Sequence, residues 1–309
     1  MKKVFIDGSA GTTGLRIYER LSKRDDIEIL SLPDEKRKDP VAKKEIINRA
    51  DVVFLCLPDD AARESVALVD NPNTVVIDAS TAHRTLPDWA YGFPELSQNH
   101  EEKILSSKRI AVPGCHASGF IALVYPLVEA GLLRKDTLLT CHSITGYSGG
   151  GKKMIAEYES EERNSLLNAP RQYALTQNHK HLKEMKAMTG LECEPMFSPI
   201  VSDFYSGMVV TVPLFKKQLN EGGRDEIIAL YKTKYDNEFV RYEECLDESG
   251  FISGLAVANK DCMKVTVLGN DERILLVAAY DNLGKGASGA AVECMNMAIG
   301  AEKKKGLVL

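Results

Sequence analysis

Short apolar runs alternate with stretches of helical spacing over the first third of the chain. The runs KVFIDG, IEILSLP, DVVFLCLP and TVVIDAS are rich in β-branched residues and almost uniformly apolar. The stretches between them, LRIYERLSK, VAKKEIINRA and DDAARESVALV, have their apolar residues at helical intervals. Uniformly apolar strands separated by helices are typical of a parallel sheet that helices cover on both faces. The pattern therefore predicts a doubly wound α/β domain of the Rossmann type.

The pattern changes near Gly131. TLLTCHSITGY, MVVTVPLF, MKVTVLG and RILLVAAY are longer strands with long segments between them, which indicates an α+β domain built on a mixed or antiparallel sheet. The closing stretch GKGASGAAVECMNMAIGA has small residues at helical spacing, and we expect it to pack back on the first domain. The predicted organisation is a dinucleotide-binding domain over 1–114, a catalytic domain over 115–282 and a returning C-terminal helix over 283–309.

Composition narrows the class of partner. The 309 residues carry a formal net charge of −5 with both signs interleaved, which argues against nucleic acid and anionic membranes as partners. The seven cysteines form no C-x-x-C pair, which favours reduced thiols in the cytoplasm over disulfides or a zinc site. No apolar run approaches the roughly 18 residues that a membrane-spanning helix needs. We expect a cytoplasmic protein without a metal that acts on a small molecule.

A glycine-rich motif, GSAGTTG, follows the first strand and precedes a helix. Its glycines permit a tight turn and a close approach of the backbone to a pyrophosphate at the helix N-terminus. An ordinary glycine-rich turn has the same composition, but this position favours dinucleotide binding. The expected cofactor-binding residues here are Gly8, Ser9, Gly11, Thr12, Thr13 and Gly14.

The end of the second strand indicates which dinucleotide is bound. An NAD enzyme usually places an acidic residue there for the ribose, and this strand ends near Ser31. The run that follows contains Asp34 and Glu35, but also three cations, Lys36, Arg37 and Lys38. An arginine can bind a 2′-phosphate, so Arg37 favours NADP over NAD. The alternative is a solvated charged loop.

The segment VPGCHASG places Cys115 directly after Pro-Gly, where apolar residues at helical spacing begin. Backbone N–H groups and the helix dipole at a helix N-terminus favour a thiolate, which is the nucleophilic form. Pro126 interrupts the apolar pattern, so we expect this helix to be kinked or to end early. The alternative is a small buried residue, which is how we interpret Cys56 inside a strand.

A thiolate nucleophile needs a group that handles protons, and histidine suits neutral pH. NHKHLKEM brings together His179, His181 and Glu184. The alternative is a polar helix start capped by Asn178. A second glycine-rich loop, GYSGGGK over 146–152, either seats phosphate or is a flexible turn.

Four motifs, GSAGTTGL, PGCHASG, NHKHLKEM and DNLGKGASGAAVECMNM, together span the chain. They resemble N-acetyl-γ-glutamyl-phosphate reductase of the shorter type and its relative aspartate-semialdehyde dehydrogenase. The resemblance implies that Cys115 is the nucleophile and that His179 is the acid/base. His116 stands where the longer-type enzymes usually have an aromatic residue.

The same resemblance implies reduction of N-acetyl-γ-glutamyl phosphate by NADPH through a cysteine thioester, in arginine biosynthesis, by a homo-oligomer (dimer or tetramer). Near the C-terminus, the residues expected to line the nicotinamide are Asn282, Gly284, Lys285 and Gly286. Such a substrate carries a carboxylate and a phosphate, and arginine binds both well. The expected substrate-binding residues are Arg84 as first choice, Lys152, Arg171, His181 and Glu184, although any of the cations could be an ordinary surface charge.

Three alternatives remain from the sequence. A related reductase that forms aspartate semialdehyde or aminoadipate semialdehyde would use the same machinery. A phosphorylating dehydrogenase of the glyceraldehyde-3-phosphate type shares the logic but not the motifs. A non-catalytic NADP sensor would keep the dinucleotide domain, but it would not need Cys115 and the histidine pair.

Overall fold

The computed structural model describes residues 1–37 and 39–309, and at Asp34 the backbone alone. Lys38, part of the expected cationic run, therefore lies outside the described residues. The chain divides into two compact units, the first formed by 1–113 with 287–308 and the second by 114–286 with Leu309. The C-terminal helical stretch thus returns to the first unit, in agreement with the fold class expected from the sequence.

The described part of the chain has regular elements in the following order. The helices are α1 (Thr12–Leu21), α2 (Pro40–Arg49), α3 (Asp59–Ala67), α4 (Gln98–Ser106), α5 (Cys115–Glu129), α6 (Gly151–Glu159), α7 (His181–Thr189), α8 (Arg224–Lys234) and α9 (Gly289–Ala298). The strands are β1 (Lys2–Asp7), β2 (Ile27–Leu30), β3 (Val52–Leu55), β4 (Val75–Asp78), β5 (Ala90–Tyr91), β6 (Arg109–Ala111), β7 (Thr140–Gly146), β8 (Arg171–Gln172), β9 (Met196–Ser202), β10 (Met208–Phe215), β11 (Val240–Tyr242), β12 (Met263–Gly269) and β13 (Arg273–Tyr280). Within these residues, no helix combines the length and apolar content that crossing a bilayer requires.

The first unit is built on a parallel sheet with strand order β2-β1-β3-β4-β6-β5. Alternate residues of each strand enter two separate apolar layers. One layer packs β-strand residues against Ile17, Ile104 and the apolar side of α9, and the other packs them against Ile46 and Ala62. Both faces are covered, which explains why the strands are uniformly apolar. The order reverses at β1, so a ligand crevice is expected at the carboxyl ends of β1 and β3.

The second unit is built on a mixed sheet with strand order β11-β12-β13-β10-β7-β9-β8. Its centre is antiparallel, while β7 pairs with β9 and β11 pairs with β12 in parallel. Helix α5 packs on β10 and β13 and against α7 and α8 of the same unit. This sheet therefore positions the N-terminus of α5, where the candidate nucleophile lies.

Pro126 does not end α5, which corrects one alternative of the sequence analysis. The helix continues to Glu129. A proline lacks the N–H that would reach the carbonyl four residues earlier, here that of Ala122. The hydroxyl of Tyr235 donates to that carbonyl at 2.6 Å, and the neighbouring Tyr231 donates to Leu123. Two tyrosines of the α8 segment thus donate to buried carbonyls of α5, and the helix continues beyond Pro126.

Candidate active site

Cys115 is the first residue of α5, and Gly114 is its N-cap without a side-chain cap. The thiol-bearing residue is half-buried. Buried Tyr280 fixes the first turn, because its hydroxyl donates to the Cys115 carbonyl at 2.5 Å and accepts from the Gly119 N–H at 3.0 Å. Gly286 lies against the cysteine, since an ideal Cβ built on it would be 3.2 Å from the Cys115 Cβ. The cysteine therefore sits at a helix N-terminus with fixed backbone, where a thiolate is favoured.

Glu184 ties α7 to this helix start. It is buried, and its Oε1 accepts from the Gly114 N–H at 2.8 Å. Glu184 was expected to bind substrate, and in the structure one of its carboxylate oxygens accepts from the N-cap backbone of α5. An acidic group at a helix N-terminus is stabilising, so this contact holds α7, and with it His181, beside the nucleophile's helix.

His116, the residue after the nucleophile, is buried at the centre of a polar chain. Its Nδ1 lies 2.6 Å from Ser143 Oγ and its Nε2 lies 2.6 Å from the Tyr173 hydroxyl. Burial and the neighbouring His179 lower the pKa of His116 to about 3, so its imidazole is neutral at pH 7. Burial raises the pKa of Tyr173, and the Cys115 thiolate raises it further. The phenol is therefore protonated and close enough to Cys115 to feel its charge.

The two expected histidines join the same cluster. The ring centres of His179 and His181 are 5.9 Å and 5.7 Å from that of His116, and they are 4.7 Å apart. The His181 backbone N–H donates to Nδ1 of His179 at 3.2 Å. Burial, followed by the charge of Lys180, lowers the pKa of His179 to about 4. The neutral ring accepts at Nδ1, so it carries its proton on Nε2.

The helix that carries His181 starts later than the sequence suggested. Its N-cap is Lys180 rather than Asn178. His181 is thus the first residue of α7, and Glu184 follows it by one turn.

Two of the expected anion-binding arginines are engaged by the protein. Arg84 is buried in the first unit, where Nε and a terminal nitrogen donate to the backbone carbonyls of Val112 and Ala79. Arg171 is half-buried in the second unit, with its guanidinium over the ring of Tyr158 and Nε donating to that hydroxyl. Both arginines therefore make contacts that stabilise the fold. Substrate binding by either of them stays a prediction.

The second glycine-rich loop is an ordered turn. Residues Tyr147–Gly150 form a 3₁₀ turn that runs directly into α6, and Lys152 is exposed in the first turn of that helix. Phosphate binding by Lys152 and the flexibility of this turn both stay predictions.

The DNLGKG segment is buried and makes more contacts within the protein than expected. Asn282 is buried, its Oδ1 accepts from the Gly207 N–H, and its Nδ2 donates to Ser148 Oγ. A Cβ at Gly284 would lie 2.0 Å from a backbone oxygen, and Lys285 is buried with its ammonium over the ring of Phe239. The Asn282 amide thus has two protein partners, and its contact with the nicotinamide carboxamide stays a prediction.

Asp281, which the sequence analysis did not select, organises this segment. Its carboxylate accepts from the N–H groups of Leu283, Gly284 and Asn259 and from the hydroxyl of Ser206. A buried acid with four donors fixes the turn that carries Gly286 to Cys115. An acidic residue directly after an apolar strand was the available signal, because such residues often cap the turn that follows.

The first unit contains a cavity of about 410 Å³ at the carboxyl ends of β1 and β2, lined in part by Gly8, Ser9, Ser31 and Arg37. A Cβ at Gly8 would lie 2.3 Å from the Cys56 carbonyl oxygen, and φ there is +88°. No side chain caps the N-terminus of α1. Within the described residues, the buried hydroxyl of Thr12 has no hydrogen-bond partner. These donors fit a dinucleotide pyrophosphate.

Two cations line this cavity, Arg37, which the sequence predicts, and Lys43, which it does not. Arg37 is exposed at its edge, and the ammonium of Lys43 lies 3.0 Å from Asp7 Oδ2. Asp7 also accepts from the Ser65 hydroxyl. A lysine on α2 gives no local signal of its position, because only the packing of α2 on the sheet brings Lys43 to the end of β1.

Comparison with known protein families gives two matches along the chain. Residues 3–104 match the model of the semialdehyde dehydrogenase NAD binding domain, and residues 115–282 match that of the semialdehyde dehydrogenase dimerisation domain. The two models together cover most of the chain in the order in which its two units occur.

Similar proteins extend over the full length. The chain is 44% identical to N-acetyl-gamma-glutamyl-phosphate reductase 2 of Nostoc sp. over 99% of both chains. It is 46% identical to N-acetyl-gamma-glutamyl-phosphate reductase of Chelativorans sp. over 96% of this chain and 97% of the relative.

Solved structures with little sequence identity share the fold. Aspartate semialdehyde dehydrogenase II of Vibrio cholerae, complexed with ASA, matches 97% of this chain and 98% of its own with a TM-score of 0.73 and 15% identity. Aspartate semialdehyde dehydrogenase with NADP from Candida albicans matches 97% of this chain and 99% of its own with a TM-score of 0.68 and 16% identity.

Proposed function

We propose that this chain, which belongs to the N-acetyl-gamma-glutamyl-phosphate reductases of the semialdehyde dehydrogenase family, uses Cys115 to reduce N-acetyl-γ-glutamyl phosphate to N-acetylglutamate semialdehyde and phosphate in arginine biosynthesis. The observation that carries the assignment of roles is the half-buried cysteine at the N-terminus of α5, next to His116, whose ring centre lies 5.9 Å from that of His179 and 5.7 Å from that of His181. The full-length likeness to relatives of one name supports the substrate.

In the first half of the reaction, the Cys115 thiolate attacks the acyl phosphate carbonyl. The carbon–sulfur bond forms, the carbon–oxygen bond to phosphate breaks, and the acyl group remains on the enzyme as a thioester. Tyr280 and Glu184 keep the helix start fixed by binding the backbone on either side of the cysteine. A fixed nucleophile lowers the entropic cost of reaching the carbonyl.

His179 handles the proton. Because its Nδ1 accepts from the His181 N–H, its neutral ring offers Nε2–H as the donor. A donor of this kind stabilises oxygen that gains charge, first on the departing phosphate and then on the reduced acyl carbon. The overall reduction consumes one proton, which leaves with phosphate.

The first unit supplies the dinucleotide site. A bound NADPH would supply the hydride for the thioester carbonyl. Thr12 and the free N–H groups of α1 would hold its pyrophosphate, and the turn at Gly8 leaves space for it. Arg37 at the edge of the cavity offers a guanidinium to the 2′-phosphate, which favours NADP over NAD.

The second unit supplies a subunit interface. Large apolar side chains are exposed on one face of its sheet, hereafter the open face: Ile144, Met196, Phe215 and Leu275. The same unit matches a dimerisation domain. Burial of such a face against a second copy stabilises both, so the chain forms a homo-oligomer through the open face.

The proposed substrate is tested by the reverse reaction with NADP, phosphate and a semialdehyde. The acetylated substrate has a neutral amide where aspartate semialdehyde has an ammonium, and an enzyme for the latter needs an acidic partner there. We expect kcat/KM for N-acetylglutamate semialdehyde to exceed that for aspartate semialdehyde by at least about a hundredfold, the scale of a buried polar mismatch. A preference for aspartate semialdehyde would overturn the substrate while leaving the thioester chemistry in place.

A further inference from the structure

Ser143, His116 and Tyr173 form a chain of two hydrogen bonds. Which group donates in each bond depends on what surrounds the serine and tyrosine hydroxyls at its two ends. Both hydrogen bonds are short, at 2.6 Å, and the imidazole between them is neutral. A neutral imidazole carries one proton, so it donates at one nitrogen and accepts at the other. Either Ser143 donates into the chain and Tyr173 receives, or the reverse.

Burial at the serine end selects the first direction. Ser143 is fully buried on β7, and within the described residues its Oγ has no hydrogen-bond partner other than His116. If Nδ1 of His116 carried the proton, the Ser143 hydroxyl proton would be buried without an acceptor, which is costly. The proton of Ser143 therefore goes to Nδ1, and Nε2–H of His116 donates to the Tyr173 oxygen.

This direction leaves the Tyr173 proton free for another acceptor. Tyr173 is half-buried, and within the described residues its hydroxyl oxygen has no partner besides Nε2 of His116. His116 follows the nucleophile directly and lies among the rings of the histidine pair. The Cys115 thiolate also raises the pKa of Tyr173, so the hydroxyl that His116 holds lies within reach of the nucleophile's charge.

We propose that Tyr173 is a catalytic residue that donates a hydrogen bond to the acyl oxygen of the Cys115 thioester, and that Ser143 and His116 are positioning residues that set the direction of its proton. This inference rests on the proposed function, because it needs an acyl group on Cys115. The acyl oxygen gains negative charge when hydride reaches its carbon. A donor aimed at that oxygen acts more strongly in the transition state than in the bound substrate, so it raises kcat more than it lowers KM.

The kinetic test compares Tyr173→Phe with Tyr125→Phe. Tyr125 lies on α5 with its hydroxyl on exposed Glu129, so its variant loses a phenol hydroxyl away from the cluster. We expect Tyr173→Phe to lower kcat by about a hundredfold, the lower end of the range for an oxyanion donor, with KM changed by less than about threefold. Tyr125→Phe should leave both unchanged. A Tyr173→Phe variant with more than half of the wild-type kcat would overturn the proposal.

The positioning role has its own kinetic signature. Ser143→Ala lets His116 take the other tautomer and accept from Tyr173, so it should lower kcat nearly as much as Tyr173→Phe. The conservative Ser143→Thr keeps a hydroxyl and should recover most of the loss. The double variant should be no slower than Tyr173→Phe alone, because both changes remove the same interaction. If the double variant instead lost kcat by the product of the two single losses, Ser143 and Tyr173 would act independently, which would contradict the proposal.

A measurement without substrate separates this inference from the proposed function. In ¹⁵N NMR of the full chain, the His116 signals are assigned by their loss in His116→Asn. The proposal requires the Nε2–H tautomer in the wild type and its loss in Ser143→Ala, and an Nδ1–H tautomer in the wild type would overturn it. A wild type inactive on N-acetylglutamate semialdehyde contradicts the proposed function alone. The variant ratios are then measured on the semialdehyde that the wild type accepts.

Discussion

At the scale of residues, His179 and His181 differ in what they offer although they are two positions apart. His179 is half-buried and its Nδ1 is engaged by the His181 N–H, whereas His181 is buried at the start of α7. We expect His179→Asn to lower kcat by roughly a hundredfold, within the usual range for general acid–base catalysis. His181→Asn should chiefly raise KM. Steady-state kinetics of both variants decide between them, and the opposite pattern would assign the proton transfer to His181.

Arg37 carries the expected preference for NADPH. Its guanidinium can pair with the 2′-phosphate, which NADH lacks. We expect Arg37→Ala to weaken NADPH binding by at least about tenfold, a typical loss for a charge-assisted hydrogen bond, and to leave NADH binding within about twofold. The neighbouring Lys36→Ala is the matched control, because Lys36 is exposed and does not line the cavity. Equal weakening of both cofactors in a fluorescence titration would show that the run is an ordinary charged loop.

What the sequence could predict at this scale depended on motif position. Cys115 was recognisable because Pro-Gly and a following apolar helix define a helix start, and the histidine pair because two imidazoles lie close in the chain. Tyr173 and Tyr280 had no such signal. Tyr173 lies in a loop and Tyr280 at the end of β13, and only the packing of the second unit brings their hydroxyls to His116 and to the Cys115 backbone.

At the scale of elements, α5 depends on Tyr235 to pass through Pro126. Tyr235→Phe leaves the buried Ala122 carbonyl without a donor, which costs about 1–3 kcal/mol of unfolding free energy. In the background of Pro126→Ala, position 126 regains an N–H for that carbonyl, so the same substitution should cost clearly less. Urea unfolding of the four proteins in this double-mutant cycle measures the difference. Equal costs in both backgrounds would contradict the account of the helix.

The elements that sequence patterns predicted are those with a clear apolar period. The strand at Arg273–Tyr280 was expected with these bounds, and the first unit's central strands differed only at their ends. The patterns missed α8. Its buried positions are only Ile227 and Tyr231, and two buried positions do not give a recognisable helical period. They also missed β9, because Pro199 lies inside it and proline argues against a central strand.

At the scale of the whole molecule, we expect the open face of the second sheet to form the subunit interface. Leu275 lies on it with 38% of its surface exposed, and a charge there would have to be buried at the proposed interface. We expect Leu275→Glu to shift the sedimenting species at micromolar concentration from oligomer to monomer. Leu105→Glu, at an exposed position of α4 in the first unit, removes a similar apolar side chain elsewhere and should leave the oligomer intact. A monomeric wild type, or an unchanged Leu275→Glu oligomer, would contradict the proposed interface.

One turnover without phosphate shows whether Cys115 holds the acyl group between the two halves of the reaction. The enzyme is mixed with NADP and N-acetylglutamate semialdehyde, and NADPH absorbance is followed while peptide mass spectrometry locates the acyl group. The account predicts a burst of about one NADPH per subunit, an acyl adduct on Cys115, and resumed turnover when phosphate is added. Cys115→Ser should show neither burst nor adduct. A burst that requires phosphate from the start, or an adduct on any other residue, would contradict the account.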